Sequence, residues 1–312
     1  MRIVFMGTPA AAVPSLQRCL EDGHEIVAVW TQPDRPAGRG KKIVASPIKE
    51  FALAHNLAIQ QPGKIRTDES LELFASHEAD LAVVVAYGRI LPDEFLRAPR
   101  RGCINVHFSL LPKYRGAAPV NWAIVNGETI TGVTTMFIEE RLDAGPILQQ
   151  SETEIGATET APQLMSRLAP LGAELLSDTL ARLDSLTPLP QHDQDATFAP
   201  MLEKENGFIH WSQDASAIER SVRGFQPWPS AYTRYREHRH ILWRAAVEPF
   251  VGGLDLGDST GEVIAAHGDD LLVKCGEGTA LRLLEVQPGG KRRMSARDFL
   301  NGSHLRAGEK LG

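Results

Sequence analysis

Several short stretches of this chain are apolar at most or all positions, and they alternate with stretches that have the spacing of amphipathic helices. The longest is 81–87, Leu-Ala-Val-Val-Val-Ala-Tyr, and comparable strands are predicted at 2–6, 25–31 and 103–108. A strand that is apolar on both faces must be covered on both faces, as in a parallel sheet with crossover helices. The first part of the chain is therefore predicted to be an α/β domain with a doubly wound, mostly parallel sheet.

The pattern of the sequence changes after residue 186. The segment 187–206 is rich in Pro, Asp and Gln, which is typical of a linker. From residue 207 onward, short β-like runs alternate with glycine-rich turns, which indicates a small β-barrel. We therefore expect one domain at 1–186, a linker at 187–206 and a second domain at 207–312.

Composition excludes several classes of protein. The run 81–87 is far shorter than the ~20 residues of a membrane-spanning helix, and the first residues lack the pattern of a signal peptide. Cys19, Cys103 and Cys275 form no Cys-x-x-Cys pair, so neither a disulfide framework nor a thiolate zinc site is predicted. The histidines show no metal-ligand spacing, so no metal is expected. We expect a cytoplasmic protein and, since no long apolar stripe is visible, a monomer.

Charge is distributed unevenly along the chain. The formal net charge is −6, yet residues 207–312 hold 14 Lys and Arg against 13 Asp and Glu, whereas residues 1–206 hold 19 against 26. Two segments are locally basic and contain Arg35, Arg39, Lys41 and Lys42 in one case and Lys291, Arg292 and Arg293 in the other. Such runs are often ordinary solvated turns. Because one follows a strand and the other lies in the predicted barrel, contact with nucleic-acid phosphates is the alternative interpretation.

The segment 103–112 reads Cys-Ile-Asn-Val-His-Phe-Ser-Leu-Leu-Pro. Strand side chains alternate between faces, so Asn105 and His107 are predicted to point the same way, about 6.6 Å apart. They fall at the carboxyl end of a strand, where sheets of this class bind ligands. The amide can donate to an oxygen that becomes negative, and the imidazole can move a proton near neutral pH, which together suit acyl transfer to an amine. A solvated strand end is the equally open structural alternative.

Asp143 is a third candidate, in Arg-Leu-Asp-Ala-Gly-Pro at 141–146. An Asp before Ala-Gly-Pro is by default a turn or cap residue. Other catalytic patterns have little support. Gly-Thr-Pro at 7–9 lacks the G-x-G-x-x-G spacing of a dinucleotide-binding turn, and the chain has no Gly-x-Ser-x-Gly elbow. Nicotinamide chemistry and a serine nucleophile are therefore disfavoured.

Asn-Val-His-x-Ser-Leu-Leu-Pro at 105–112, followed by Arg-Gly-Ala-Ala-Pro at 115–119, resembles the folate-dependent formyltransferase superfamily. The stretches 32–42, 225–229 and 287–299 are similar to those of the methionyl-tRNA formyltransferases, and the resemblance runs nearly end to end. It implies a Rossmann-like formyltransferase domain followed by an OB-like tRNA-binding domain. It also implies transfer of the formyl group of 10-formyltetrahydrofolate to the amino group of initiator methionyl-tRNA.

The resemblance further implies roles for individual residues. Asn105 would polarise the formyl oxygen, His107 would support proton movement, and Asp143 would orient His107. The positions expected to bind folate are Gly88, Ile90, Leu91, Ser109, Leu110, Leu111 and Pro112. The positions expected to bind tRNA are Arg35, Arg39, Lys41, Lys42, Lys291, Arg292 and Arg293, and among these Arg39 would reach the acceptor stem. Two positions depart from the family pattern: Ala11 stands where an aromatic residue is usual, and Arg141 stands where a glycine is usual.

Two other functions fit part of the pattern. An enzyme of the same fold could pass the formyl group to a small amine or to water, and it would need no basic segment. A non-catalytic RNA-binding module would use the basic segments and leave Asn105 and His107 without a chemical role. Formyl transfer to charged tRNA, compared with uncharged tRNA, separates these readings.

Overall fold

The computed structural model describes residues 1–37, 42–248 and 259–312. Its residues group into two compact units. The first comprises Met1–Pro119, Ile130–Glu154 and Met165–Pro200, and the second comprises Val120–Thr129, Ile155–Leu164 and Met201–Gly312. Most of the predicted linker is thereby counted with the first unit. The boundaries at residues 186 and 207 stay a proposal.

The first unit is built on a seven-stranded sheet with the order β10-β9-β7-β6-β1-β2-β5. The strands of this unit are β1 (Arg2–Gly7), β2 (Glu25–Trp30), β3 (Arg35–Ala37), β4 (Lys42–Val44), β5 (Ile59–Gln60), β6 (Leu81–Val85), β7 (Cys103–His107), β8 (Arg115–Gly116), β9 (Ile130–Phe137), β10 (Ile147–Glu154) and β11 (Phe198–Ala199). The five strands from β7 to β5 are parallel, and β9 and β10 continue the sheet in antiparallel fashion. This confirms the predicted mostly parallel sheet.

Continuous burial explains why the central strands form where the sequence predicts them. Every residue of β6 is buried, and so are five of the six residues of β1. The two strands pair in parallel from Ile3 opposite Leu81 to Gly7 opposite Val85. Their carboxyl ends therefore meet at the same edge of the sheet, next to the end of β7.

Helices pack against this sheet and bury the side chains of its strands. They are α1 (Val13–Glu21), α2 (Pro47–Ala54), α3 (Asp68–Ala75), α4 (Asp93–Arg97) and α6 (Ala161–Arg182), whose first four residues are counted with the second unit. The helix α5 (Pro119–Val125) belongs to the second unit except for Pro119. Ser46 and Thr67 cap α2 and α3 by accepting hydrogen bonds from backbone N–H groups. A Cβ atom at Gly172 of α6 would lie 2.9 Å from the Val106 side chain, so this helix packs directly on β7.

The second unit contains an antiparallel sheet with the order β12-β13-β16-β15-β14, and β17 pairs with β16. Its elements are α7 (Ala215–Gly224), β12 (Tyr232–Tyr235), β13 (His238–Glu248), β14 (Val263–His267), β15 (Asp270–Lys274), β16 (Ala280–Pro288), β17 (Met294–Ser295) and α8 (Ala296–Ser303). The register of β13 against β16 shifts around Arg244, which bends the ladder. The predicted class, an α/β domain followed by a small β domain, is confirmed. Over the described ranges no pairing joins β12 to β14 directly. The segment 308–312 lies between them: Gly308 and Glu309 exchange backbone hydrogen bonds with Val263 of β14, and the Gly312 N–H donates to the Arg234 carbonyl of β12.

Within the residues described, no helix combines the length and apolarity that crossing a membrane requires.

Candidate active site

Asn105 and His107 lie on one face of β7, at its carboxyl end. Val106 and Phe108, which alternate with them, approach Gly172 of α6 on the opposite face. Cys103 lies on the same face as Asn105. Its Sγ donates to the Phe95 carbonyl, and its side chain packs in the buried hydrophobic cluster that contains Phe95. Strand alternation thus gives Asn105 and His107 a common orientation, as the sequence predicts.

His107 is fixed by a hydrogen bond at one ring nitrogen and faces a carboxylate with the other. Its Nε2 lies 2.9 Å from the Tyr114 carbonyl oxygen. A carbonyl can only accept, so Nε2 carries a hydrogen and donates it. The other nitrogen, Nδ1, lies 3.7 Å from Oδ2 of Asp143. The imidazole is only 6% exposed, and its Nδ1 therefore faces a carboxylate in a setting largely removed from water.

Asp143 is brought to His107 by a tightly constrained loop. Its φ of 48° lies in the left-handed region, which Asp adopts more readily than most residues. Its Oδ2 accepts a hydrogen bond of 2.8 Å from the Gly116 N–H. Two residues later, a Cβ on Gly145 would come within 1.9 Å of the Phe137 carbonyl oxygen, so this close approach requires glycine. The structure thus brings together two candidate residues that are 36 positions apart in the chain.

The Asn105 side chain is available to a ligand. It is half-buried, and its amide has no hydrogen-bond partner within residues 1–37, 42–248 and 259–312. A primary amide offers two donors and an acceptor, and leaving them unpaired at a half-buried position is unusual in a folded chain. An incoming oxygen or nitrogen can bind there without displacing an internal partner.

The loop that carries Asp143 is held by a group of polar residues that sequence reasoning missed. Gln191 donates from Nε2 to the carbonyl oxygens of Asp143 and Gly145, at 2.9 and 2.7 Å. Its Oε1 accepts from Nε and Nη2 of Arg115, at 3.0 and 2.9 Å. The Arg115 guanidinium is buried and donates from Nη1 to Oδ1 of Asp193 at 2.9 Å. We call Arg115, Gln191 and Asp193 the loop clamp.

Arg141, the second departure from the family pattern, extends the loop clamp. Its Nη2 lies 2.7 Å from Oδ2 of Asp193, so that carboxylate is shared by two guanidinium groups. Hydrogen bonds from Arg115 and Arg141 hold the pKa of Asp193 below its usual value. The bulk of the arginine is thus accommodated outside the turn rather than within it. No motif marks Gln191 or Asp193, because both lie in the stretch whose composition indicates a linker.

The residues expected to bind folate occupy two loops at the same sheet edge. Ser109 is fully buried and donates to the Lys113 carbonyl at 2.7 Å, and Leu111 is buried as well. Their side chains therefore support the loop from inside, while Leu110 and Pro112 are half-buried. In the other loop, Gly88 has a φ of 81°, Ile90 is exposed and Leu91 is buried.

A surface cavity lies between the loops that follow β5 and β6. Its volume is about 480 Å³, and it is lined by Gly63, Lys64, Ile65, Arg66, Arg89 and Ile90. Of the positions expected to bind folate, Ile90 lines this cavity. The proposed chemical groups Asn105 and His107 are not among its lining residues. Its three cationic side chains give the cavity an affinity for anions.

Among the residues expected to bind tRNA, those of the first unit are only partly described. Arg35 is exposed and donates to Oε1 of Gln32 at 3.3 Å. Arg39 and Lys41 lie outside the described residues, and Lys42 is described only as the first residue of β4.

In the second unit, Lys291, Arg292 and Arg293 are all exposed. Arg293 forms an ion pair with Glu285, and its guanidinium lies 5.1 Å from the centre of the Trp243 ring. Arg292 has no ion pair among the residues described.

Comparison with known proteins places this site in a family. Residues 1–180 match the formyl transferase family, and residues 201–304 match the formyl transferase C-terminal domain. Methionyl-tRNA formyltransferase of Solibacter usitatus is 49% identical over 314 residues, covering 100% of this chain and 99% of its own. That of Methylococcus capsulatus is 49% identical over 315 residues, covering 100% of both chains. The chain belongs to the methionyl-tRNA formyltransferase family. The predicted class, a formyl-transferring enzyme, is confirmed with it.

Solved structures share the fold of this methionyl-tRNA formyltransferase family member at low identity. The sugar 3N-formyl transferase WlaRD, solved with dTDP and 5-N-formyl-THF, has a TM-score of 0.65 and 18% identity, over 94% of this chain and 99% of its own. HypX from Aquifex aeolicus in complex with tetrahydrofolic acid has a TM-score of 0.63 and 17% identity, over 97% of this chain and 48% of its own. These likenesses support the architecture described above.

Proposed function

We propose that this protein transfers the formyl group of 10-formyltetrahydrofolate to the α-amino group of methionyl-initiator tRNA, giving N-formylmethionyl-tRNA for translation initiation. The observation that carries the proposal is the arrangement at the end of β7, where the His107 imidazole faces Asp143 and the amide of Asn105 has no partner among the described residues. Family membership supports this donor and acceptor, because relatives that match over their whole length are methionyl-tRNA formyltransferases.

Asn105 is the proposed oxyanion donor. Attack of an amine on a formyl group places negative charge on the formyl oxygen, and the Asn105 Nδ2–H can donate to it. Such a donor contributes about 2.7–4 kcal/mol to transition-state stabilisation. The amide is half-buried, where the interaction is screened less than in bulk water. Because no hydrogen bond to another described residue has to break first, the donor is ready when the substrate arrives.

His107 and Asp143 are the proposed proton-handling pair. A free α-amino group has a pKa of about 7.7–8.0, so the attacking amine must lose a proton during transfer. Nε2 of His107 is committed to the Tyr114 carbonyl, which leaves Nδ1 as the nitrogen that can accept the proton. The Asp143 carboxylate, 3.7 Å away, then stabilises the positive charge on the ring. As the bond between the formyl carbon and N10 of the folate breaks, the ring returns the proton to that nitrogen and tetrahydrofolate leaves. A positioned acid–base group of this kind typically contributes about 10²–10⁴ in rate.

The proposed folate site is formed by Gly88, Ile90, Leu91, Ser109, Leu110, Leu111 and Pro112. The loops that contain these positions follow the parallel neighbours β6 and β7, so both begin at the same edge of the sheet, and this supports a shared site. The cavity beside Ile90 fits an acidic group, since Lys64, Arg66 and Arg89 line it and folates carry carboxylates. Solved structures with this fold contain folates, 5-N-formyl-THF with WlaRD and tetrahydrofolic acid with HypX, which adds support. No metal is part of the proposal.

The proposed tRNA contacts are Arg35, Arg39, Lys41, Lys42, Lys291, Arg292 and Arg293. The exposure of Arg35 and of the cations at 291–293 supports phosphate contact. We further propose a cytoplasmic monomer, in line with the three buried thiols, none of which is in a disulfide.

Formyl transfer with 10-formyltetrahydrofolate tests this function directly. Charged initiator tRNA, uncharged initiator tRNA and free methionine are compared as acceptors, and formate release is followed without any acceptor. We expect formylated product with charged initiator tRNA alone. Formate release or formylation of the free amine at a comparable rate would favour a hydrolase or a small-amine enzyme. Salt-sensitive RNA binding without folate binding would favour an RNA-binding module.

A further inference from the structure

We propose that Gln191 is a positioning residue for formyl transfer. Its side-chain amide holds the backbone around Asp143 in the conformation that points the carboxylate at His107. This inference rests on the proposed roles of His107 and Asp143, and it adds a residue from a segment that no catalytic motif covers.

The Asp143 loop needs an external restraint. A non-glycine residue at a φ of 48° has a conformational cost and persists only where its surroundings hold it there. Both amide hydrogens of Gln191 are used for this purpose, one on the Asp143 carbonyl and one on the Gly145 carbonyl, at 2.9 and 2.7 Å. These carbonyls flank Ala144, so a single side chain fixes the turn on both sides.

The orientation of the Gln191 amide is itself determined. An amide could present either its oxygen or its nitrogen to the loop, but Arg115 has only donors. Because Nε and Nη2 of Arg115 both donate to Oε1, the NH₂ group must face the two carbonyls. Asp193 balances the buried guanidinium charge through Oδ1. The loop clamp therefore has one consistent set of donors and acceptors.

Arg115 connects the loop clamp to the Asp143 carboxylate by a second route. The next residue, Gly116, donates its N–H to Oδ2 of Asp143, which is the same oxygen that lies nearest His107 Nδ1. Backbone and carboxylate of Asp143 are thus held by neighbouring groups of one assembly. Loss of the Gln191 donors should release the backbone half of this restraint while the Gly116 bond remains.

Gln191→Glu is the decisive variant. Glutamate keeps the side-chain length and still accepts from Arg115, but it puts an acceptor oxygen against the two carbonyls. Gln191→Met removes the donors without adding charge. Gln194→Glu makes the same chemical change at an exposed position of the same segment and is the matched control. We expect both Gln191 variants to lower kcat roughly 10- to 100-fold, with KM for folate and charged tRNA nearly unchanged. Gln194→Glu should keep the parental kcat.

Two further readouts separate positioning from a general structural role. The ring ¹⁵N resonances of His107, recorded without substrates, should shift in both Gln191 variants and not in Gln194→Glu. In an Asp143→Ala background, Gln191→Met should cause little additional loss, because both act through the same carboxylate. Parental kcat in both Gln191 variants, unmoved His107 resonances, or losses that multiply in the double variant would each overturn the inference. If the parental enzyme formylates no charged tRNA, the proposed function fails, and the resonances still test the positioning.

Discussion

The sheet edge of the first unit and the basic surface of the second unit use charge in opposite ways. At the sheet edge, the Arg115 side chain is 3% exposed and donates to Gln191 and Asp193, and the Asp193 side chain is itself 55% exposed. On the second unit, the side chains of Arg244 and Arg293 are 64% and 47% exposed. Exposed ion pairs contribute little to stability and are screened by salt, whereas buried networks fix geometry. Changes at the sheet edge should therefore act on kcat, and changes on the basic surface should act on RNA binding.

The largest effect is expected from removing the side chains proposed to act on the formyl oxygen and on the transferred proton. Asn105→Ala and His107→Ala should each lower kcat by about 10²–10⁴-fold or more, because each removes a group whose effect arises in the transition state. Single-turnover formylation at saturating folate measures this. Asn301→Ala, at an exposed position of α8, is the control. Near-parental turnover in either site variant would remove that residue from the chemistry.

Asp143→Asn tests the charge rather than the shape of the loop. Its amide oxygen can still accept from Gly116, so the loop should persist, but the negative charge opposite His107 Nδ1 is lost. We expect kcat to fall by about 10²-fold, with charged-tRNA binding unchanged. Steady-state kinetics and a thermal unfolding curve measure the two parts. An unchanged kcat would mean that Asp143 serves only as an acceptor for the Gly116 N–H.

Arg292→Ala tests the basic surface of the second unit. Losing one phosphate contact should weaken charged-tRNA binding a few-fold and lower the log–log salt slope by about 1, while kcat at saturation is kept. Arg97→Ala, at an exposed arginine that pairs with Asp93, is the control. Fluorescence titrations at several salt concentrations measure the slope. Equal slopes for the parent and Arg292→Ala would exclude this contact.

The smallest effect is expected from Tyr87→Phe, on the packed side of the sheet edge. The Tyr87 hydroxyl is buried without a hydrogen-bond partner among the described residues, so its removal should raise the free energy of unfolding by about 1 kcal/mol. Tyr232→Phe, at a half-buried position, is the control. A lower melting temperature in Tyr87→Phe would show that the hydroxyl is satisfied.

The same residue has a pH signature. Burial raises the pKa of Tyr87 to about 12, against an ordinary value of 10.0. Below pH 10 the hydroxyl is protonated in both folded and unfolded chains, so it adds no pH dependence. Between pH 10 and about 12 only the unfolded chain ionises, so stability should fall with rising pH. Tyr87→Phe should lose this part of the alkaline decline in urea unfolding series.

Much of the fold could be predicted because its central strands are apolar on both faces. The predicted strand at 81–87 corresponds to β6, and that at 103–108 to β7. β10 escaped prediction because its sequence, Ile-Leu-Gln-Gln-Ser-Glu-Thr-Glu, is mostly polar and lies at an edge of the sheet. β9 escaped prediction because Thr and Gly interrupt the apolar residues of its sequence, Ile-Thr-Gly-Val-Thr-Thr-Met-Phe, although most of the strand is buried.

The site was predictable to the extent that it is local. Alternation along one strand is enough to put Asn105 and His107 on the same face. The approach of Asp143 to His107 depends on how distant loops fold, so the residues alone indicated a turn and only the resemblance gave it a role. No sequence feature predicted the contacts of Gln191, because a polar composition is equally compatible with a solvated linker and with a half-buried amide that holds a loop.

The pairing of β8 with β11 has a consequence for the order in which the enzyme becomes competent during synthesis. The sheet is complete once β10 has left the ribosome, yet Gln191 and the β11 residues Phe198 and Ala199 emerge later and return to Arg115 and Gly116. A nascent chain that stops at residue 186 would contain all seven sheet strands and the proposed chemical groups Asn105, His107 and Asp143. It would still lack the polypeptide that holds the aspartate loop, so every sheet strand is synthesised before the residues that complete the site.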